Sequence, residues 1–514
     1  DTARADERER DHEADVPPPG RFGRIFSQLP PFATASPAMR TALIDIGKAG
    51  GILDAKDDLS KGPVLLITDP NLSKNNPNNT THTAGTTFLG QFIDHDLTFD
   101  LTSRLGVPRA PESSPNERTP AFDLDSVYGR GPLVDVQLYD PSDRRKLKVG
   151  FGGRFEDLPR AADQSAIIAD PRNDEHIILS GLHAAILKFH NRAVDLVRSQ
   201  GGSGDKDDDH DERFSRARQS RDDHDTVYRR ARRLTAWHYQ WIVVHELMPQ
   251  LLGQPMVDDI LRRGPRFFRT KEHGFIPVEF QGAAYRFGHS MVRPSYRANL
   301  QGNSDGSPFF GLVFDHGQNN KADPDDLRGG IRAPRRFIGW QTFFKFDDPA
   351  LAAEVKPNKK IDTKISTPLM NLTPGTIAGA EQAPTALPQR NLLRHLTWGI
   401  PSGQAIARVM GVPSLSKTDL SELGGYSGQK LDESTPLWYY ILKEAELMGN
   451  GEHLGPVGGR IVGEVFVGLL RADESSYLRV APSWRPTLPS GVSGSFRMVD
   501  VLTFAQVDPR SRGQ

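Results

Sequence analysis

The sequence contains no cysteine among its 514 residues. That absence excludes disulfides, thiolate metal sites, iron–sulfur clusters, any cofactor held by a thiolate and a cysteine nucleophile. Long apolar runs are missing as well. The best of them, Ile461 to Leu470, is interrupted by Gly463 and Glu464 and falls short of the roughly 18 residues that a membrane-spanning helix needs. Neither sign of charge is in excess: 64 Lys and Arg stand against 65 Asp and Glu, so no global field draws the chain to nucleic acid or to an anionic membrane. The chain begins on Asp with no apolar signal region before it, as a processed chain would, which leaves export to an extracytoplasmic space open.

What is present suffices for a large core. Hydrophobic residues make up 37% of the chain, and the length suits two or three domains or one large enzyme fold. Residues 1–20 are charged and then proline-rich (Pro17-Pro18-Pro19), and are expected to form a disordered or extended tail. Leu182, Ile186, Phe189, Ala193 and Leu196 predict a helix over Ser180 to Gln200, stopped by Gly201-Gly202. Residues 201–225 read as a charged insertion loop. Its spaced Asp205, Asp207 and Asp209 lack the turn glycine and closing glutamate of a calcium loop. Val227 to Met248 predicts a second long helix ending at Pro249, and shorter helices are expected at Gln389 to Leu396, Ser402 to Met410, Pro436 to Met448 and Val457 to Leu470. No βαβ alternation or repeat is visible, so the expected class is mainly α with little β.

Three short runs concentrate chemistry. Gln91-Phe92-Ile93-Asp94-His95-Asp96 places a histidine between two aspartates on a mostly apolar segment. On a helix Gln91, Asp94 and His95 share a face. Asp96 lies about 200° round from Asp94 and faces elsewhere, so one helix can serve two sites. Arg172 and Glu175 lie three apart and can share a face, although a helix-start ion pair would look the same. His289, among bulky apolar residues and after Gly288, suits an imidazole approaching something large and flat; taken alone, it also suits an ordinary core histidine. His183, His190, His238 and His245 fall in the long helices and read as structural or surface residues. His245-Glu246 lacks the second histidine of a zinc-protease motif.

Taken together and in order, these runs resemble the animal-type haem peroxidases of the peroxidase–cyclooxygenase superfamily. Gln91 to Asp96 is similar to that family's distal-histidine helix, Arg172-Asn173-Asp174-Glu175 to its distal-arginine segment, and Tyr285-Arg286-Phe287-Gly288-His289 to its proximal-histidine segment. Asn391-Leu392-Leu393-Arg394, with Gly399-Ile400-Pro401 after it, resembles the stretch supporting the proximal histidine. The agreement runs from about Phe22 to about Leu470. Ser434 to Trp438 and Gly455 to Arg460 resemble bacterial members more than mammalian ones.

The resemblance implies a single catalytic domain over residues 21–514 with haem buried between helices. His289 would be the iron's axial ligand, with Asn391 accepting a hydrogen bond from its other ring nitrogen. His95 would act as general base and then acid on hydrogen peroxide, Arg172 would stabilise charge on the breaking O–O bond, and Gln91 would bind water or halide. Arg286 and Arg394 would pair with the haem propionates. Asp94 and Glu175 match the carboxylates that esterify haem methyl groups. His176 stands where one mammalian member has a methionine, so no sulfonium link is expected.

Asp96, Thr119, the Ala121 carbonyl, Asp123 and Asp125 would surround calcium. Asp125 replaces the serine common in the family; without the resemblance, Ala121 to Asp125 also suits a solvated acidic turn. The implied activity is oxidation of small donors, either halides and thiocyanate or aromatic reductants, at the expense of hydrogen peroxide. A fatty-acid dioxygenase of the same superfamily and a non-catalytic matrix protein on the same scaffold are the rival expectations.

Overall fold

Apolar periodicity becomes helix wherever it is long enough, and caps set most of the ends. In the computed structural model, residues 16–200, 226–270, 273–373, 383–426 and 428–514 are described; the insertion 201–225 and most of the N-terminal tail lie outside them. Nine helices of eight or more residues appear among the described residues: α1 (Pro37–Ile46), α2 (Gly85–Leu97), α3 (Ile177–Ser199), α4 (Thr226–Ile242), α5 (Gln254–Arg263), α6 (Leu387–Trp398), α7 (Gly403–Met410), α8 (Leu437–Met448) and α9 (Pro456–Ala472). Ser36 and Ser402 cap α1 and α7 through their hydroxyls. α3 starts at His176, whose ring nitrogen accepts from the Leu179 amide at 3.4 Å.

The expectation that the second long helix stops at Pro249 is wrong. α4 runs into a π turn at Val243–Leu247 and then a further helical stretch, Met248–Leu252, closed by Gly253 at φ 76°. The wider turn shifts the hydrogen-bond register just ahead of Pro249, so its missing N–H and its ring are accommodated without ending the helix.

Among the described residues the named strands form three two-stranded antiparallel ribbons: Asn78–Thr83 with Pro357–Lys359, Gly150–Phe151 with Glu156–Asp157, and Ser295–Asn299 with Phe309–Leu312. The long stretch after Asn299 that the sequence left unassigned is mostly irregular, with short 3₁₀ turns. Buried apolar residues from Phe22 to Val507 form one contiguous cluster, so the fold is a mainly α single domain. A satellite cluster of Ala193, Val194, Val197 and Ala231 lies where α3 and α4 pack together. Trp398 and Trp438 are fully buried on α6 and α8; truncating such a ring costs about 3–5 kcal/mol, so these helices are held firmly around the site.

Candidate active site

α2 presents two faces to two different environments. Gln91 and Asp94 line a cavity of about 140 Å³. Asp96 points away from it and is completely buried. Glu175, His176, Tyr285, Arg286, His289, Phe314, Leu369 and Leu372 complete much of the wall. His95, Arg172, Asn391 and Arg394 are not on that wall; they stand behind it, each tied to it by contacts or charge.

The wall opposite α2 comes from the 3₁₀ helix Ala284–Met291. Gly288 lines the cavity, and a Cβ there would meet nothing within 4 Å, so this patch of wall is bare backbone beside the imidazole. His289 is pushed down to about 3 by burial and by the charges of Arg286 and Arg394, which keeps its ring neutral, the form that binds a metal. Asn391 Nδ2 lies 2.8 Å from His289 Nδ1, and Asn391 Oδ1 is buried without a hydrogen-bond partner. Turning the amide over keeps its shape and lets Oδ1 accept from Nδ1–H, which leaves the Nε2 lone pair of His289 for a ligand.

Two cations near this wall are short of anions. Arg286 donates through Nε to the Gln281 carbonyl at 2.7 Å and has no carboxylate in contact among the described residues. Burial and the neighbouring Arg394 push it down to about 9. Arg394 is lowered too, chiefly by burial, with Asp100 at 3.2 Å opposing. A dianionic group bound in the cavity would relieve both. Bare backbone at Gly288, a neutral imidazole with an orphaned amide oxygen behind it and two under-compensated arginines are a donor set that fits haem.

On the α2 side, Arg172 belongs to the turn Pro171–Asp174 and is gripped by Asp170 through Nε at 3.0 Å and Nη2 at 2.7 Å. Burial alone would raise Asp170, but Arg172 overrides it and the carboxyl falls to about 2. Arg172 also donates to the His95 carbonyl at 3.1 Å and stacks 4.0 Å over Phe99, so it is fixed as a charged fork. Asp94 is half-buried on the cavity wall and its carboxyl is raised by loss of surrounding water, with Arg172 and Arg286 opposing. Gln91 accepts from His176 Nε2 at 2.9 Å and donates to Glu175 at 3.5 Å.

His95 is 4% exposed and pushed down to about 3, first by burial and then by Arg172, so it is neutral near pH 7. Its Nδ1 donates to Asn173 Oδ1 at 3.0 Å, and Asn173 Nδ2 donates to His183 Nδ1 at 3.1 Å. Asn173, His183 and Asp170 are the residues that the sequence did not single out. Asp170 and Asn173 flank Arg172 and could have been found that way. His183 carries no local signal, because its partner sits on another element.

Behind α2, one oxygen from each of Asp96, Asp123 and Asp125 lies within 4.8 Å of the others. Asp96 is raised well above the carboxylate range by burial and by Asp123 and Asp125; Asp125 is pushed to about 7, by burial and then Asp123. Asp125 Oδ1 is buried without a hydrogen-bond partner, while its Oδ2 accepts from the Thr119 amide at 2.8 Å. Ala121 donates its N–H to the Thr119 carbonyl, at 2.8 Å. Arg118 Nη1 lies 3.6 Å from Asp125 Oδ1 and offsets part of the crowding; the acidic oxygens are of the kind a hard cation takes.

Residues 101–328 match the family model described as animal haem peroxidase. That stretch contains Thr119 to Asp125, Arg172 to Glu175 and Tyr285 to His289, and starts just after α2. Over 392 residues the chain is 25% identical to heme peroxidase 2 of Caenorhabditis elegans, covering 70% of this chain and 48% of that protein. It spans less than half the length of the curated relatives it matches. Among solved structures it is similar to peroxidase A from Dictyostelium discoideum, with TM-score 0.54 and 17% identity over 83% of this chain and 85% of that one. Oryza sativa fatty acid alpha-dioxygenase gives TM-score 0.54 at 14% identity, over 85% of this chain and 74% of that one. At such identities the structural likeness establishes the fold. Over residues 101–328 the chain is thus similar to animal haem peroxidases, and the relatives it matches over longer stretches carry peroxidase names.

Proposed function

We propose that this chain is a haem peroxidase that reduces hydrogen peroxide and oxidises halides, thiocyanate or small aromatic donors. The observation that carries it is one cavity with the neutral His289, backed by Asn391, on one wall and Gln91, Asp94 and Glu175 on the other, with His95 and Arg172 behind them. Haem would supply the redox chemistry with peroxide. His289, its ring oriented by Asn391, would hold the iron, and Arg286 and Arg394 would pair with the carboxylates of the group. Asp94 and Glu175 would be its ester-forming carboxylates, with hydrogen peroxide as the oxidant that each link requires.

His95 takes a proton from peroxide on Nε2 and returns it to the leaving oxygen, a service worth about 10²–10⁴-fold. It acts as a base because burial keeps it neutral. Arg172, held rigid by Asp170, offers its charge to the developing negative oxygen without reorganising. Gln91 presents its amide to water or halide. Asp96, Thr119, the Ala121 carbonyl, Asp123 and Asp125 bind calcium and pin the back of α2, so the segment that carries His95 is clamped from behind.

The test is steady-state oxidation of chloride, bromide, iodide, thiocyanate and a phenol in parallel, with added hydrogen peroxide and haem-loaded protein. Turnover of at least one donor is expected. A preparation with no Soret band and no turnover would point to a non-catalytic scaffold. A fatty-acid dioxygenase is the second reading, favoured by the apolar stretch Leu251, Val313, Phe314, Leu369 and Leu372 of the wall. Against it, the tyrosine on that wall, Tyr285, donates its hydroxyl to the Gly90 carbonyl at 3.0 Å and is raised well above its usual range by burial. Oxygen uptake with linoleate and no peroxide would reverse the order of the two readings.

A further inference from the structure

α2, the turn Pro171–Asp174 and α3 meet in a line of three buried side chains: His95 at 4% exposure, Asn173 at 0% and His183 at 1%. A neutral imidazole carries one proton and one lone pair on its two nitrogens, so a hydrogen bond at Nδ1 decides what Nε2 can do. Asn173 Oδ1, 3.0 Å from His95 Nδ1, can only accept, so Nδ1 carries the proton and Nε2 keeps its lone pair. The amide holds that orientation because its other end, Nδ2, donates to His183 Nδ1 at 3.1 Å. The reverse amide would require a proton on His183 Nδ1 and would leave His95 protonated on Nε2, the nitrogen needed as base.

We propose that His183 is a positioning residue for the distal base: by accepting from Asn173 it fixes the amide that fixes the tautomer of His95. The proposal rests on the reading of His95 as that base. His183 touches neither peroxide nor haem; it acts through Asn173. The environment is compatible, since burial holds His183 down to about 4 and so keeps it neutral near pH 7, with one ring nitrogen free to accept. Phe92 of α2 packs edge-on to the His183 ring, with centroids 6.3 Å apart, and restrains its rotation.

The test uses haem-loaded protein in the ferrous carbon-monoxide form, which is diamagnetic, with isotope-labelled histidine nitrogens read by NMR. The His95 signals are those lost in His95→Ala. In the wild type the proton is expected on Nδ1. In His183→Leu it is expected to move wholly or partly to Nε2, and the rate of the peroxide-induced spectral change to fall roughly 10–100-fold, as losses behind a reacting group typically do. His183→Asn, whose Oδ1 occupies the place of Nδ1, is expected to restore both tautomer and rate.

A wild-type proton on Nε2, or a His183→Leu protein with unchanged tautomer and rate, overturns the proposal. Should His183→Leu fail to retain haem, Asn173→Leu carries the same expectation and the same overturning result. The underlying reading fails separately: His95→Ala reacting with peroxide at the wild-type rate removes the base itself. A slow His95→Ala beside an unperturbed His183→Leu removes only the relay.

Discussion

His95 and Asp94 are neighbours in the chain with separable jobs, and single substitutions tell them apart. His95→Ala removes the base while leaving His289, Asn391 and the two arginines to hold haem. The expected result is an intact Soret band with reaction toward peroxide slowed by about two to four orders of magnitude. Stopped-flow spectra at wild-type speed would rule the assignment out. Asp94→Val leaves His95 in place and removes one ester link, so acidified organic solvent should extract more haem than from the wild type. Equal extraction from both proteins would show that Asp94 forms no link. Because the half-buried Asp94 interacts with the charges of Arg172 and Arg286, the apolar replacement also leaves two cations less compensated, and some loss of stability goes with it.

At the scale of the element, α2 depends on what grips its back. Asp96 accepts from the Leu124 amide at 3.1 Å, from the Ser126 hydroxyl at 3.3 Å and from the Tyr239 hydroxyl at 3.2 Å. These bonds tie α2 to the acidic turn and to α4, and the crowded carboxylates beside them repel one another unless a cation lies between. Removing calcium with a chelator is therefore expected to speed amide hydrogen exchange along α2 and to loosen haem. Restoring calcium at about 100 times its dissociation constant should return roughly 2.7 kcal/mol of stability. Exchange along α2 that ignores the chelator would show that the turn needs no ion.

At the scale of the whole molecule, burial holds imidazoles neutral and pushes carboxylates up, and the two act on stability in opposite directions. His82, His183, His190, His238 and His395 are each pushed down to about 4 by burial. Below their ordinary value of about 6.5 the unfolded chain takes up protons that the folded one refuses, so their stabilisation is complete above that pH and is lost as pH falls toward 4. Glu246 and Glu444 work in the opposite sense, being raised to about 7 by burial and so gaining stability as pH falls. Among the described residues nine imidazoles are lowered against seven carboxylates raised, an excess of about two protons, or roughly 3 kcal/mol per pH unit near pH 5. The thermal unfolding midpoint should drop steeply between pH 6.5 and 4.5; a midpoint flat or rising over that window would contradict the count.

The two faces of α2 were legible from residues alone, because the angle between Asp94 and Asp96 follows from helical geometry within one short segment. The long helices were legible for the same reason, and the motifs from Arg172 to Glu175 and from Tyr285 to His289 were found by their order along the chain. Pro249 misled because the π turn that accommodates it has no local signature. The cavity, the anion-poor pairing of Arg286 with Arg394 and the line from His95 through Asn173 to His183 were decided only by tertiary structure. Each joins side chains from separate elements, and burial there sets protonation and hydrogen-bond direction. Residue spacing along a chain carries neither quantity, because both depend on which distant atoms have replaced water.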